Sequence, residues 1–148
     1  MNKLPIEEYP ELLTEYGRAF AWLNSMEDYL NIILLIKGRF QHIDVSLKNT
    51  ILDEMMMGKK ITLCEPYLSN TGKLVSKLRQ LNDDRVLLAH GITGEQVDIK
   101  APMVNTGNIL IMHKQKQHPF TEEFLQSICQ RARDISIELH KQMNYTNK

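Results

Sequence analysis

A stretch of about thirty residues, Pro10 to about Arg39, limits this chain more than any other feature, because its apolar positions step by three and four. Leu12, Tyr16, Ala19/Phe20, Leu23, Met26, Leu30 and Ile33/Leu34 recur with helical period, so they form one stripe along a long amphipathic helix. A stripe of that length must be covered, and other helices cover it best, which points to a helical bundle. Pro10 suits a first-turn position and Gly38 begins the stop. Gly17 lies inside the helix, where glycine costs about 1 kcal/mol relative to alanine, and it predicts a close approach by another helix.

Downstream, Asp44 or Ser46 can cap a short helix through Met57, with Gly58 just past its end. Met55-Met56-Met57 then reads as helix-end packing against the first helix, the alternative being an adaptable binding surface. Residues 60–68 contain Pro66 and predict a short helical segment or a loop. Asn70 or Thr71 caps a helix over 72–81 with Leu74, Val75, Leu78 and Leu81 as its stripe. Asn82-Asp83-Asp84 then reads as a polar break before a short apolar helix that stops at Gly91.

Beyond Gly91 the period shifts toward two. Val97, Ile99 and Ala101 alternate with polar residues, Ile109 to Met112 are β-rich, and Asn105-Thr106-Gly107-Asn108 is a turn cluster. Residues 96–115 therefore predict one β-hairpin. Thr121 caps a last helix, with Glu122 and Glu123 in its first turn, Phe120 stapled onto Leu125, and Phe124, Ile128, Ala132, Ile135, Leu139 and Met143 on its buried face. The expected fold is mainly α: an up-down bundle of four to five helices with one inserted hairpin, in a single domain spanning 1–148, with residues 143–148 as a frayed tail.

Charge narrows the function classes. Eighteen Lys and Arg balance eighteen Asp and Glu, for a net charge of zero. That balance excludes a chain-wide electrostatic clamp for nucleic acid or an anionic membrane, but not a local cationic site. Cys64 and Cys129 form no CxxC, and no HExxH occurs, so neither a metal nor a cofactor is expected. The N-terminus has no apolar signal core, and the run Tyr29–Ile36 is too short to span a bilayer. A cytoplasmic location without membrane attachment is the expectation.

The candidate for chemistry is Arg85 and His90, separated by four residues. Cleaving RNA without metal requires a base for the ribose 2′-hydroxyl, an acid for the leaving 5′-oxygen, and a cation for the charge that builds on phosphate. Histidine exchanges protons near neutral pH, and arginine offers phosphate a planar fork of donors. Arg133 and His140 also satisfy a loose Arg-to-His spacing, but among Asp134, Glu138 and Lys141 they read as a solvated helix face. A purely structural reading also stands: Arg85 pairs with Asp83 or Asp84, and His90 caps helix carbonyls.

The run Leu81-Asn82-Asp83-Asp84-Arg85-Val86-Leu87-Leu88-Ala89-His90-Gly91 resembles the Arg-to-His segment of HEPN-domain proteins, the higher eukaryotes and prokaryotes nucleotide-binding superfamily. The long first helix and the last helix agree with that superfamily's four- to five-helix bundle. Val86 stands where the superfamily commonly has a polar residue. The resemblance implies a metal-independent ribonuclease, often a toxin or defence component, that works as a homodimer with Arg85 and His90 of both subunits lining one cleft. A cognate antitoxin protein is an implied partner. The alternative implied by members without activity is a module that binds RNA, nucleotide or protein. Asn82, Asp84, Lys73 and Lys77 are the candidate substrate-binding residues; the two lysines recur on one side of the helix before Arg85 and could follow a phosphate backbone.

Overall fold

The structure, a computed structural model, describes residues 9–38, 44–69, 73–90, 92–98, 104–113 and 116–144. It is mainly helical, with five α-helices among the described residues. Helix α1 runs Pro10–Lys37, α2 Val45–Glu54, α3 Met57–Cys64, α4 Leu74–His90 and α5 Glu122–Asn144; a 3-10 turn, Glu65–Tyr67, extends α3. Each of the four core helices packs on two others: α1 on α5 and α3, and α4 on α5 and α3. This ring closes around Leu23, Leu30, Ile61, Leu78, Leu81 and Ile128, all fully buried.

The stripe read from the first thirty residues is the face that α1 buries. Leu12, Ala19, Leu23, Met26, Leu30, Ile33 and Leu34 are inside, with Tyr16 and Phe20 half-covered. At 1.5 Å per residue the helix is about 42 Å long, enough to span the whole bundle. Pro10 occupies the first turn as expected. The glycine that a close approach requires is Gly38, whose amide bonds Leu34 O at 3.0 Å and where a Cβ would lie 2.5 Å from that oxygen. At Gly17 nothing lies within 4 Å of an added Cβ, so no helix approaches there.

Three boundaries differ from the sequence reading. The short second helix does not run through Met57 to a stop at Gly58. Met55 and Met56 are extended, at ψ 131° and 148°, and α3 restarts at Met57 with Gly58 in its first turn. Restarting presents Met57, Lys60, Ile61 and Cys64 to the interior as one stripe, while Met56 is left 80% exposed. Asp44 caps α2, its carboxylate accepting from Ser46 N at 2.9 Å.

The second correction is the polar break at Asn82-Asp83-Asp84, which does not exist. Helix α4 continues through it because Leu74, Leu78, Leu81 and Leu88 keep one buried stripe across the polar run, and no glycine or proline interrupts it. Thr121 caps α5 as expected, accepting from Phe124 N at 3.1 Å, and Phe120 and Leu125 are both buried beside it. At the other end α5 includes Met143 and Asn144, where a frayed tail was expected; residues 145–148 of that expected tail lie outside the described residues.

The third correction concerns the insertion. The single hairpin over 96–115 is not seen. Three antiparallel strands, β1 Ile92–Asp98, β2 Val104–His113 and β3 Lys116–Pro119, are ordered β1-β2-β3. Asn105 to Asn108 lie within β2 rather than at a chain reversal, and Asn105 sits opposite Val97. The register shifts between Glu95 and Val97, so the turn-prone Thr106-Gly107-Asn108 supplies a bulge instead. The β-rich run Ile109–Met112 can then pair with Ile92–Glu95. Residues 99–103, with Pro102, lie outside the described residues. No helix among the described residues is long and apolar enough to cross a membrane.

Candidate functional site

Arg85 lies four residues after Leu81 and three before Leu88, on the flank of the buried stripe of α4. Its Nε is buried and its side chain is 29% exposed. The guanidinium reaches Glu27 of α1, with Nη2 3.5 Å from Oε2. The other oxygen of the same carboxylate, Oε1, accepts from Nζ of Lys60 on α3 at 2.7 Å. Three helices therefore meet in one ion network.

The two contacts are unequal. Lys60 is only 2% exposed, and an ammonium buried that deeply is stable only beside an opposite charge. Its short bond orients the Glu27 carboxylate, while Arg85 remains at a distance longer than the usual range for a charge-assisted hydrogen bond. One carboxylate thus faces two cations, of which Arg85 is the more weakly held and the more exposed.

Neither Asp83 nor Asp84 pairs with Arg85, as the structural reading of the sequence expected. Asp83 is exposed, and Asp84 accepts from Nη2 of Arg131 on α5 at 2.6 Å. Asn82, one turn before Arg85, is half-buried, with its amide nitrogen beside Gly58 of α3. Asn82 Oδ1, Arg85 Nε and Oδ1 of Asn31, one turn beyond Glu27, are buried atoms without a hydrogen-bond partner.

His90 is the last residue of α4; its side chain lies outside what the structure describes. The backbone still limits it. Five steps along an unbroken helix place the backbone of Arg85 and that of His90 roughly 7.5 Å apart along the axis. Capping near this end is supplied from α1, where Tyr16 Oη donates to Leu88 O at 3.4 Å. Burial pushes the Tyr16 phenol above its ordinary range.

Lys73 and Lys77 are exposed and stand apart from the network. Lys73, immediately before α4, has φ 59°, a left-handed conformation uncommon for a residue with a side chain. Lys77 borders a cleft of about 450 Å³ between α4 and α5, together with Leu74, Gln80, Arg131, Asp134 and Glu138. Two carboxylates on the wall of that cleft oppose phosphate. The competing spacing, Arg133 and His140, is divided between neighbours: His140 packs edge-on to Tyr29 at 5.8 Å, and Arg133 lines a shallow pocket with Glu15 and Trp22.

Sequence reasoning missed Glu27 and Lys60. Lys60 carried a usable signal, because it occupies an apolar position in the repeat Met57, Ile61, Cys64, and a lysine there must find an anion. Glu27 adjoins Met26 at the margin of the α1 stripe, where an acid is unremarkable, and only its neighbours distinguish it. No protein-family model matches this chain, and neither a curated protein nor a solved structure matches it significantly.

Proposed function

We propose that this protein is a metal-independent RNA endonuclease of the HEPN type that acts as a cytoplasmic homodimer. The observation that carries the reading is the uneven division of the Glu27 carboxylate, which bonds Lys60 at 2.7 Å but Arg85 only at 3.5 Å and leaves the arginine side chain partly open. Arg85 then holds the scissile phosphate and the charge that grows on it. His90 takes the proton of the ribose 2′-hydroxyl, and the 2′-oxygen attacks phosphorus. The second subunit's copy of His90 delivers a proton to the departing 5′-oxygen, giving a 2′,3′-cyclic phosphate and a 5′-hydroxyl. Two chains supply the two imidazoles, one as base and one as acid, that this reaction uses. A nuclease of this kind would need restraint in the cell, which makes an antitoxin protein the expected second partner.

The decisive assay compares RNA cleavage in EDTA by the wild type, Arg85→Ala and His90→Ala. Each substitution is expected to lower the rate by about 10²-fold or more. Equal rates in all three proteins would overturn the reading. The second reading is a non-catalytic module that binds RNA, nucleotide or protein, and it is favoured by the unbroken helix that keeps Arg85 and His90 apart. An inert wild type whose RNA binding still depends on Arg85 would select it.

A further inference from the structure

We propose that Lys60 is a positioning residue: by holding the Glu27 carboxylate it keeps Arg85 available to an oxyanion. The inference rests on the reading of Arg85 as a phosphate-binding group. Lys60 projects from α3 into the interior and, among the described residues, has one acidic partner, at 2.7 Å, with almost no solvent to share its charge. That bond fixes the direction of the carboxylate. The remaining oxygen reaches Arg85 only at 3.5 Å, too far to saturate a guanidinium that is 29% exposed. Were Lys60 neutral, Glu27 would have a single cation left, and closing on Arg85 would give the bidentate geometry that carboxylate and guanidinium favour. An internal carboxylate bonded that way competes directly with phosphate. The buried lysine therefore sets whether the arginine opposite is free or occupied, without touching the anion.

This arrangement makes an unusual prediction: removing a cation weakens anion binding from a distance, and removing a second group restores it. The probe is inorganic phosphate, titrated into folded protein and followed by the Nε–Hε resonance of Arg85 in ¹H–¹⁵N spectra. Lys60→Met should weaken phosphate binding about tenfold, the effect of about 1.4 kcal/mol of competition from Glu27. Lys60→Arg should keep wild-type affinity, because it keeps the charge beside Glu27. Glu27→Gln alone should bind phosphate more tightly than the wild type, and Glu27→Gln with Lys60→Met should return to within about threefold of it.

Unchanged affinity in Lys60→Met, or a double variant as weak as that single one, would overturn the proposal; so would a wild type whose Arg85 resonance does not respond to phosphate. If Lys60→Met does not fold, Lys60→Gln, which also removes the charge beside Glu27, takes its place in the cycle, and unchanged phosphate affinity in that variant refutes the proposal. A phosphate cycle that behaves as described in a protein that leaves RNA intact would refute the nuclease and leave the role of Lys60 standing.

Discussion

The same ion network makes a sharp prediction about stability. Replacing Glu27 by alanine removes the acceptor at 2.7 Å from an ammonium that is 2% exposed, whereas replacing Lys60 by methionine leaves a carboxylate 18% exposed with Arg85 still beside it. The two halves of one salt bridge should therefore have very different effects. An orphaned buried charge costs about 3–5 kcal/mol, and partial access of water around Glu27 places Glu27→Ala near the lower figure, at about 3 kcal/mol. Lys60→Met exchanges the ion for an apolar side chain of similar volume and should shift stability by less than about 1 kcal/mol in either direction. For a chain of this size, the alanine variant should melt roughly 6–12 °C lower. The assay is equilibrium unfolding in urea at neutral pH, followed by helical circular dichroism and by the fluorescence of Trp22, the only tryptophan. Equal losses in the two variants, or a larger loss in Lys60→Met, would refute the claim that Glu27 compensates a charge the bundle otherwise cannot hold.

Gly17→Ala should stabilise the protein by up to about 1 kcal/mol, because the site is exposed, helical and open around an added methyl; Gly38→Ala should destabilise it, because the methyl would strike Leu34 O; paired urea midpoints of opposite sign check both. Burial pushes the Cys64 thiol from 9.0 up to about 12, so it should react with iodoacetamide far more slowly in the folded protein than after unfolding. The sign of the linkage follows. The unfolded chain releases the thiol proton first, so stability from Cys64 is complete below pH 9 and declines as pH rises toward 12, a slope that Cys64→Ala should remove in urea titrations at high pH.

How much of this was legible beforehand depends on the range of the interaction. The buried residues of α1 and α5 follow from spacing, and the caps at Asp44 and Thr121 follow from residue type, because both depend on atoms within one turn. Reading failed where a local preference competed with a distant one. Asn82-Asp83-Asp84 resembles a break by composition, yet the leucines on either side remain in phase, and burying them against α3 and α5 outweighs the weak helix preference of three polar residues. Asn105 to Asn108 resembles a turn, yet pairing Ile109–Met112 with Ile92–Glu95 converts it into a bulge. Met55 and Met56 carry no breaking signal at all; the chain extends there so that α3 can turn its own stripe inward.

The candidate site divides in the same way. Sequence by itself determined that Arg85 and His90 lie near one another in a helical segment, that the first and last helices are long and amphipathic, and that a zero net charge leaves only a local cationic site. Those are properties of composition and of the helical repeat, which a short window of residues carries. Only the tertiary structure decided what Arg85 faces. Its anion is 58 residues away in the chain, and the cation that holds that anion is on a third helix. Which helices adjoin, and at what rotation about their axes, depends on how several apolar stripes close on one another at once. No single stripe contains that information, so the Glu27–Lys60–Arg85 network exists only once the bundle has closed.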